Sequence, residues 1–120
     1  MDEICVMQAM VLKTLANPRR LEIIHRLAEG PCEVGRLAEE LNVPQPNVSQ
    51  HLAVMRSAGL VEAERVGREV HYRLADPDII RACDIMHEVL MRRLARLGQL
   101  TETPSALAAG PHPQSIPQPV

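Results

Sequence analysis

Three cysteines, Cys5, Cys32 and Cys83, and five histidines carry most of the metal and nucleophile chemistry open to this sequence. They are sparsely placed. No Cys-x-x-Cys pair occurs, so the odd thiol count indicates neither a disulfide framework nor a zinc knuckle. Cys83 and His87 stand four apart, which on a helix puts them on one face, as two soft ligands would require. The plainer reading is that buried single cysteines act as small apolar residues and that His87 is a solvated helix position. No Gly-rich phosphate loop, nucleophile elbow or His-Glu-x-x-His is present, and an enzyme is not expected. A second group is polar and crowded: Gln45, Asn47, Ser49, Gln50 and His51. Gln and Asn can hold adenine through two hydrogen bonds, while Ser and His can serve bases or phosphates. Arg65 and Arg68 lie either side of Val66-Gly67, where guanidinium groups could reach phosphate or a narrow minor groove.

The elements that must position these residues follow from apolar period and punctuation. Ile4, Met7, Met10, Val11 and Leu15 keep helical spacing. Asn17-Pro18 then caps and starts a second helix carrying Leu21, Ile23, Ile24, Leu27 and Ala28, which Gly30-Pro31 stops. A short third helix spans Val34 to Leu41, and Asn42-Val43-Pro44 forces a turn. A fourth begins around Gln45-Pro46, buries Val48, Leu52 and Met55, and ends at Gly59, which suits a left-handed cap. Leu60–Val66 and Glu69–Leu74 alternate with period two around the turn Gly67-Arg68 and read as a hairpin. Asp76-Pro77 starts a long last helix with a broad apolar face. Residues 1–100 are expected to form one domain. Residues 101–120 form a tail rich in proline, expected to be disordered.

The 120 residues include one Tyr and no Phe or Trp, so the core must be aliphatic and thioether, which favours packed helices. A formal charge of -2 does not itself point to nucleic acid. Between Pro44 and Leu74 there are four Arg and three Glu, so few phosphates can be neutralised per protomer and a modest salt dependence is expected. No 18-residue apolar run occurs and the acidic start lacks a basic leader region, so a cytoplasmic protein without membrane contact is expected. The order helix, helix, helix-turn-helix, hairpin, helix describes a mainly α fold with a small β-hairpin: a winged helix-turn-helix, α-α-α-α-β-β-α. Its second paired helix would enter the major groove of double-stranded DNA.

The same stretches resemble the ArsR/SmtB family of bacterial repressors. Leu15-Ala-Asn-Pro-Arg-Arg-Leu21, Val34-Gly-Arg-Leu-Ala-Glu-Glu-Leu41, Val48-Ser-Gln-His-Leu52, Ser57-Ala-Gly-Leu-Val61, Val66-Gly-Arg and His71-Tyr-Arg-Leu74 carry the likeness, over about residues 8 to 95. The resemblance implies a homodimer paired through the first and last helices, bound to palindromic operator DNA. It implies that Gln45, Asn47, Ser49, Gln50 and His51 fall on the positions that read DNA. It also implies release by a metal, metalloid or reactive sulfur species.

The family's sensing sites match this chain only in part. Of the metal ligands between paired last helices, Asp76 matches, Asp78 replaces a His, and the two later positions fall on Val89 and Arg92. A Cys-x-Cys at the third helix is represented by Cys32 alone, with Cys5 suitably placed near the N-terminus. The two positions of the dithiol arrangement fall on His25 and Met91. What remains is a soft metal or metalloid site, or a reactive thiol, built from Cys83 and His87 with Cys5 or Cys32. Two alternatives stay open: a winged-helix repressor that needs no effector, and a winged-helix interaction module that does not bind DNA.

Overall fold

Caps and prolines divide the chain in the computed structural model, which describes residues 2–101. Asp2 accepts from the Ile4 amide and opens α1, Glu3–Leu15. Asn17 accepts from the amides of Arg19 and Arg20 at 2.9 and 3.1 Å and opens α2, Pro18–Leu27. Then follow β1 (Cys32–Glu33), α3 (Val34–Leu41), α4 (Gln45–Ser57), β2 (Val61–Val66), β3 (Glu69–Leu74) and α5 (Asp78–Thr101). Asp76 opens α5 by accepting from the Asp78 amide at 2.9 Å. The proline-rich segment from residue 102 lies outside the described residues. Among the described residues no helix is long and apolar enough to cross a membrane.

The architecture is a winged helix-turn-helix, with one strand more than the sequence announced. β1 pairs antiparallel with β3, placing Cys32 opposite Tyr72 and Glu33 opposite His71, so the sheet order is β1-β3-β2. Two residues are too few to show a period, which is why the strand escapes a pattern reading. β2 and β3 pair from Val61↔Leu74 to Val66↔Glu69, leaving the two-residue turn Gly67-Arg68. Gly67 has φ +64° while Arg68 keeps negative φ, the pattern of a hairpin turn with Gly at its first central position.

The chain falls into two units, one ending at Ile79 and one starting at Ile80. The core of the first is drawn from α2 (Ile23, Ile24, Leu27), β1 (Cys32), α3 (Leu37, Ala38), α4 (Val48, Leu52, Met55) and the approach to the hairpin (Leu60, Val61). Every buried member is aliphatic or sulfur-containing, and among the described residues no polar or charged residue is buried with them. α1 buries none of its residues and exposes Ile4, Met7 and Met10 along one face. α5, all but the start of which belongs to the second unit, exposes Ile85, Met86, Val89 and Leu97.

Candidate nucleic-acid interface

The turn between α3 and α4 is built from backbone bonds that only certain residues permit. Asn42 adopts the left-handed conformation (φ 55°, ψ 49°). Its amide donates to Glu39 O at 3.1 Å, and the Val43 amide donates to Ala38 O at 3.0 Å, the bond pattern of a Schellman motif. Val43 is buried and Pro44 leads directly into α4, its carbonyl accepting from the Asn47 and Val48 amides. No side chain caps α4, whose first turn contains Pro46. The far end repeats the device: Gly59, at φ +78°, follows the helix while the Leu60 amide donates to Met55 O at 2.9 Å. Both ends of α4 are therefore fixed by backbone geometry.

Burial splits α4 lengthwise. Val48, Leu52 and Met55 are fully buried, and Gln45, Asn47, Ser49 and Gln50 are exposed. The sequence-predicted polar face therefore exists as a solvent-facing strip on a helix whose opposite face is core. The Gln45 amide folds toward α3: its Oε1 lies 3.5 Å from where a Gly35 Cβ would stand, beside the Glu33 carboxylate that caps α3 through the Arg36 amide. Backbone hydrogen bonds from Gly35 and Arg36 hold that carboxylate below the usual range.

His51 departs from the others. It is half-buried and turned toward α2, where Arg20 Nε donates to its Nδ1 at 3.2 Å. Arg20 Nη1 donates in turn to the Thr14 carbonyl, in the last turn of α1, at 3.0 Å. Burial, then the positive charges of Arg20 and Arg19, hold the imidazole below its ordinary value. Sequence reasoning missed Arg20. A signal was available: on α2 it heads the face continued by Ile24 and Leu27, and a charge on a buried stripe needs a partner.

The hairpin has two unlike faces, because directly paired residues share a side of the sheet. One side carries Val61, Ala63, Tyr72 and Leu74, with Arg65 and Val70 toward the tip. The other carries Glu62, Glu64, Glu69, His71 and Arg73. Arg73 Nη1 holds Glu64 at 2.7 Å and its Nη2 holds Glu62 at 3.2 Å, while His71 Nε2 lies 3.2 Å from Glu69. Arg65 and Arg68 are exposed, Arg65 donating to the Gly67 carbonyl at 3.3 Å. Positive charge thus concentrates at the tip, and the carboxylates of the outer face are largely answered by Arg73.

The thiols are separately housed. Cys5 is exposed on α1, and Cys32 is buried in β1 with its Sγ 3.4 Å from the Glu33 carbonyl. Cys83 is half-buried on α5. Burial pushes the Cys32 thiol up, and burial with the adjacent Asp84 carboxylate pushes the Cys83 thiol up. Among the described residues no group of three or more His, Cys, Asp and Glu is arranged to hold a metal ion. The described residues of one chain therefore do not assemble a complete metal centre, and Val89 and Arg92 occupy the two later positions that the family likeness assigns to ligands.

Comparisons with known proteins converge on one description. The sequence model of "Bacterial regulatory protein, arsR family" matches residues 17–63, which run from the cap of α2 into β2. The chain is 40% identical over 81 residues to the biofilm growth-associated repressor of Agrobacterium fabrum, covering 68% of this chain and 69% of that protein. It is 52% identical over 66 residues to the transcriptional repressor SmtB of Mycobacterium tuberculosis, covering 55% of this chain and 49% of that one. Among solved structures it resembles the homodimeric winged helix-turn-helix DNA-binding domain of a possible ArsR-family regulator from Mycobacterium bovis. That likeness has a TM-score of 0.71 at 34% identity, covering 78% of this chain and 86% of that one.

Proposed function

This chain belongs to the ArsR family of bacterial regulatory proteins, and from that premise we propose that it is a homodimeric repressor whose α4 helices read operator DNA. The family is one of DNA-binding transcriptional regulators and not of enzymes. The observation that carries the reading is the split of α4 into a buried stripe and an exposed polar strip, held at both ends by backbone caps. Gln45, Asn47, Ser49 and Gln50 project into the major groove in this reading, with His51 at their inner edge. Arg65 and Arg68 at the tip of the wing meet the flanking backbone or minor groove. Two α4 helices about 34 Å apart would enter successive major grooves on one side of the duplex.

The dimer is supported by α1, which buries nothing in its own chain although its exposed face carries Ile4, Met7 and Met10. Isolated helices of this length are marginal in water, and an apolar face left uncovered favours association. α5 offers a comparable face in Ile85, Met86 and Val89. A second copy, as in the homodimeric Mycobacterium bovis domain, covers these faces in our reading.

Effector release is the finer part of the proposal and rests on Cys83, which has His87 one helical turn further along α5. A soft metal, metalloid or sulfur species binding there would weaken operator binding by about 5- to 150-fold for a coupling of about 1–3 kcal/mol. A repressor without an effector is favoured by one specific observation: the Cys83 thiol is pushed up, which lowers its thiolate fraction at neutral pH.

Fluorescence anisotropy of the protein on its own promoter region tests both levels. Changing Gln45, Ser49 and Gln50 together to Ala is expected to weaken binding at least tenfold, since each good base contact contributes about 1–3 kcal/mol. Unchanged binding by that variant would move the chain to the interaction-module reading. Zinc, cadmium, arsenite and a persulfide donor are titrated in parallel. Release that is lost in Cys83→Ser establishes the sensor, and binding indifferent to all four establishes the effector-free repressor.

A further inference from the structure

Arg20 and His51 are 31 residues apart in sequence and meet between α2 and the DNA-reading helix. A guanidinium has only donors and does not lose its proton in proteins, so the ring nitrogen that faces it must offer a lone pair. Nδ1 is that nitrogen, and in the neutral ring the proton then sits on Nε2. A proton on Nδ1 would delete the hydrogen bond, and in the doubly protonated ring it would also set two cations against each other. Arg20 is itself held in place by the Thr14 carbonyl, one of the last carbonyls of α1 that lack a partner within the helix, where a cation is favoured. The charged groups acting on the ring, Arg20 and Arg19, both come from α2, and both oppose its charging. What α1 turns toward this cluster is the Thr14 main-chain oxygen.

We propose that Arg20 is a positioning residue for DNA recognition: by donating to Nδ1 it fixes His51 as a neutral Nε2–H donor of set direction, offered to an acceptor atom of the duplex. The inference rests on the reading that α4 contacts DNA, and it adds a residue of α2 that lies outside the exposed strip. It also explains why His51 is half-buried where Gln45, Asn47, Ser49 and Gln50 are exposed. The ring trades solvent for a fixed tautomer.

Long-range proton–nitrogen NMR of the full chain labelled at histidine reads the tautomer without DNA. His51 is expected to show an unprotonated Nδ1 and a protonated Nε2, and to keep that pattern as pH falls below the ordinary histidine value of about 6.5. In Arg20→Met the ring is expected to sample both tautomers and to titrate closer to that value. Operator binding supplies the second readout. Arg20→Met and His51→Leu are each expected to lose about tenfold in affinity, the scale of one well-made hydrogen bond, and the double variant is expected to lose little more than either. A purely structural Arg20 would cost as much in the His51→Leu background as in the parent, and that result overturns the proposal. So does a parent His51 protonated on Nδ1. Arg20→Lys guards against a variant that does not fold, since one ammonium keeps the charge but does not reproduce the planar fork. Burial and positive charge both persist there, so His51 is expected to stay below its ordinary value while both ring tautomers appear, and a ring still fixed as Nε2–H counts against the proposal. If the parent protein binds no promoter DNA, the functional reading fails, while the tautomer experiment still decides whether Arg20 sets the ring.

Discussion

Asn42 shows how much a single side chain does in the α3–α4 turn. It occupies the left-handed region without being glycine, and its amide closes the end of α3. Asn tolerates this conformation better than other side chains, and a β-branched residue there is a genuine outlier. Asn42→Val is therefore expected to destabilise the fold by about 1–2 kcal/mol, while Asn42→Gly is expected to be neutral or slightly stabilising. Urea unfolding followed by circular dichroism measures both. Equal midpoints for the Val and Gly variants would show that the turn adopts another conformation in solution. His51 makes the complementary case through its proton. The folded ring is held below its ordinary value, so the unfolded chain takes up a proton first as pH falls. Stability from this group is present above the ordinary histidine value and drains away below it, until the folded ring is protonated as well.

Among the elements, those with local causes were legible in the sequence. α3 was bounded correctly because Val34, Leu37, Ala38 and Leu41 keep a helical period and Asn42-Val43-Pro44 breaks it. α4 declared its buried stripe, and the hairpin its two-residue turn, through patterns confined to a dozen residues. β1 was not legible: it is a strand only because β3 lies beside it, and two residues have no period. The Arg20–His51 pair was hidden for the same reason, since its partners are distant in the chain. Of the expected DNA-reading set, the sequence identified the polar residues of α4 but not that His51 would turn inward. β1 can be probed through its cysteine. Cys32 is 3% exposed and its thiol is pushed up by burial, so at neutral pH iodoacetamide is expected to leave it intact and to reach it only in urea. Peptide mass spectrometry reads the site. Rapid labelling of Cys32 in the native protein would mean that β1 does not stay docked on β3.

At the scale of the whole molecule, the first and last helices each leave large apolar side chains exposed, which favours association. Ile4, Met7 and Met10 of α1 are each more than half exposed, and so are Ile85 and Met86 of α5. In the dimer proposed above, such a surface on a chain of modest core would make folding and pairing parts of one equilibrium. Met7→Glu combined with Met10→Glu is expected to shift the protein from dimer to monomer in sedimentation at micromolar concentration. Operator affinity should fall with it, because two half-sites must be engaged together. A double variant that stays dimeric would place the pairing surface elsewhere. The charge distribution leads in the same direction. With a net charge of -2 and Arg73 committed to Glu62 and Glu64, one protomer has few cations to give to phosphate. In the proposed complex, affinity would therefore have to come from base contacts and from doubling them.

The wing also holds the only tyrosine of a chain without tryptophan or phenylalanine. Tyr72 lies mid-strand in β3, opposite Cys32 on one side and Ala63 on the other, half-buried against the body of the protein. The unlabelled protein is consequently almost colourless in the near ultraviolet, and its intrinsic emission originates from one ring on one strand. Quenching of that emission reports how the wing is seated, and its polarisation adds the tumbling of the whole protein. The helices, α4 among them, contribute nothing to that emission until a tryptophan is introduced.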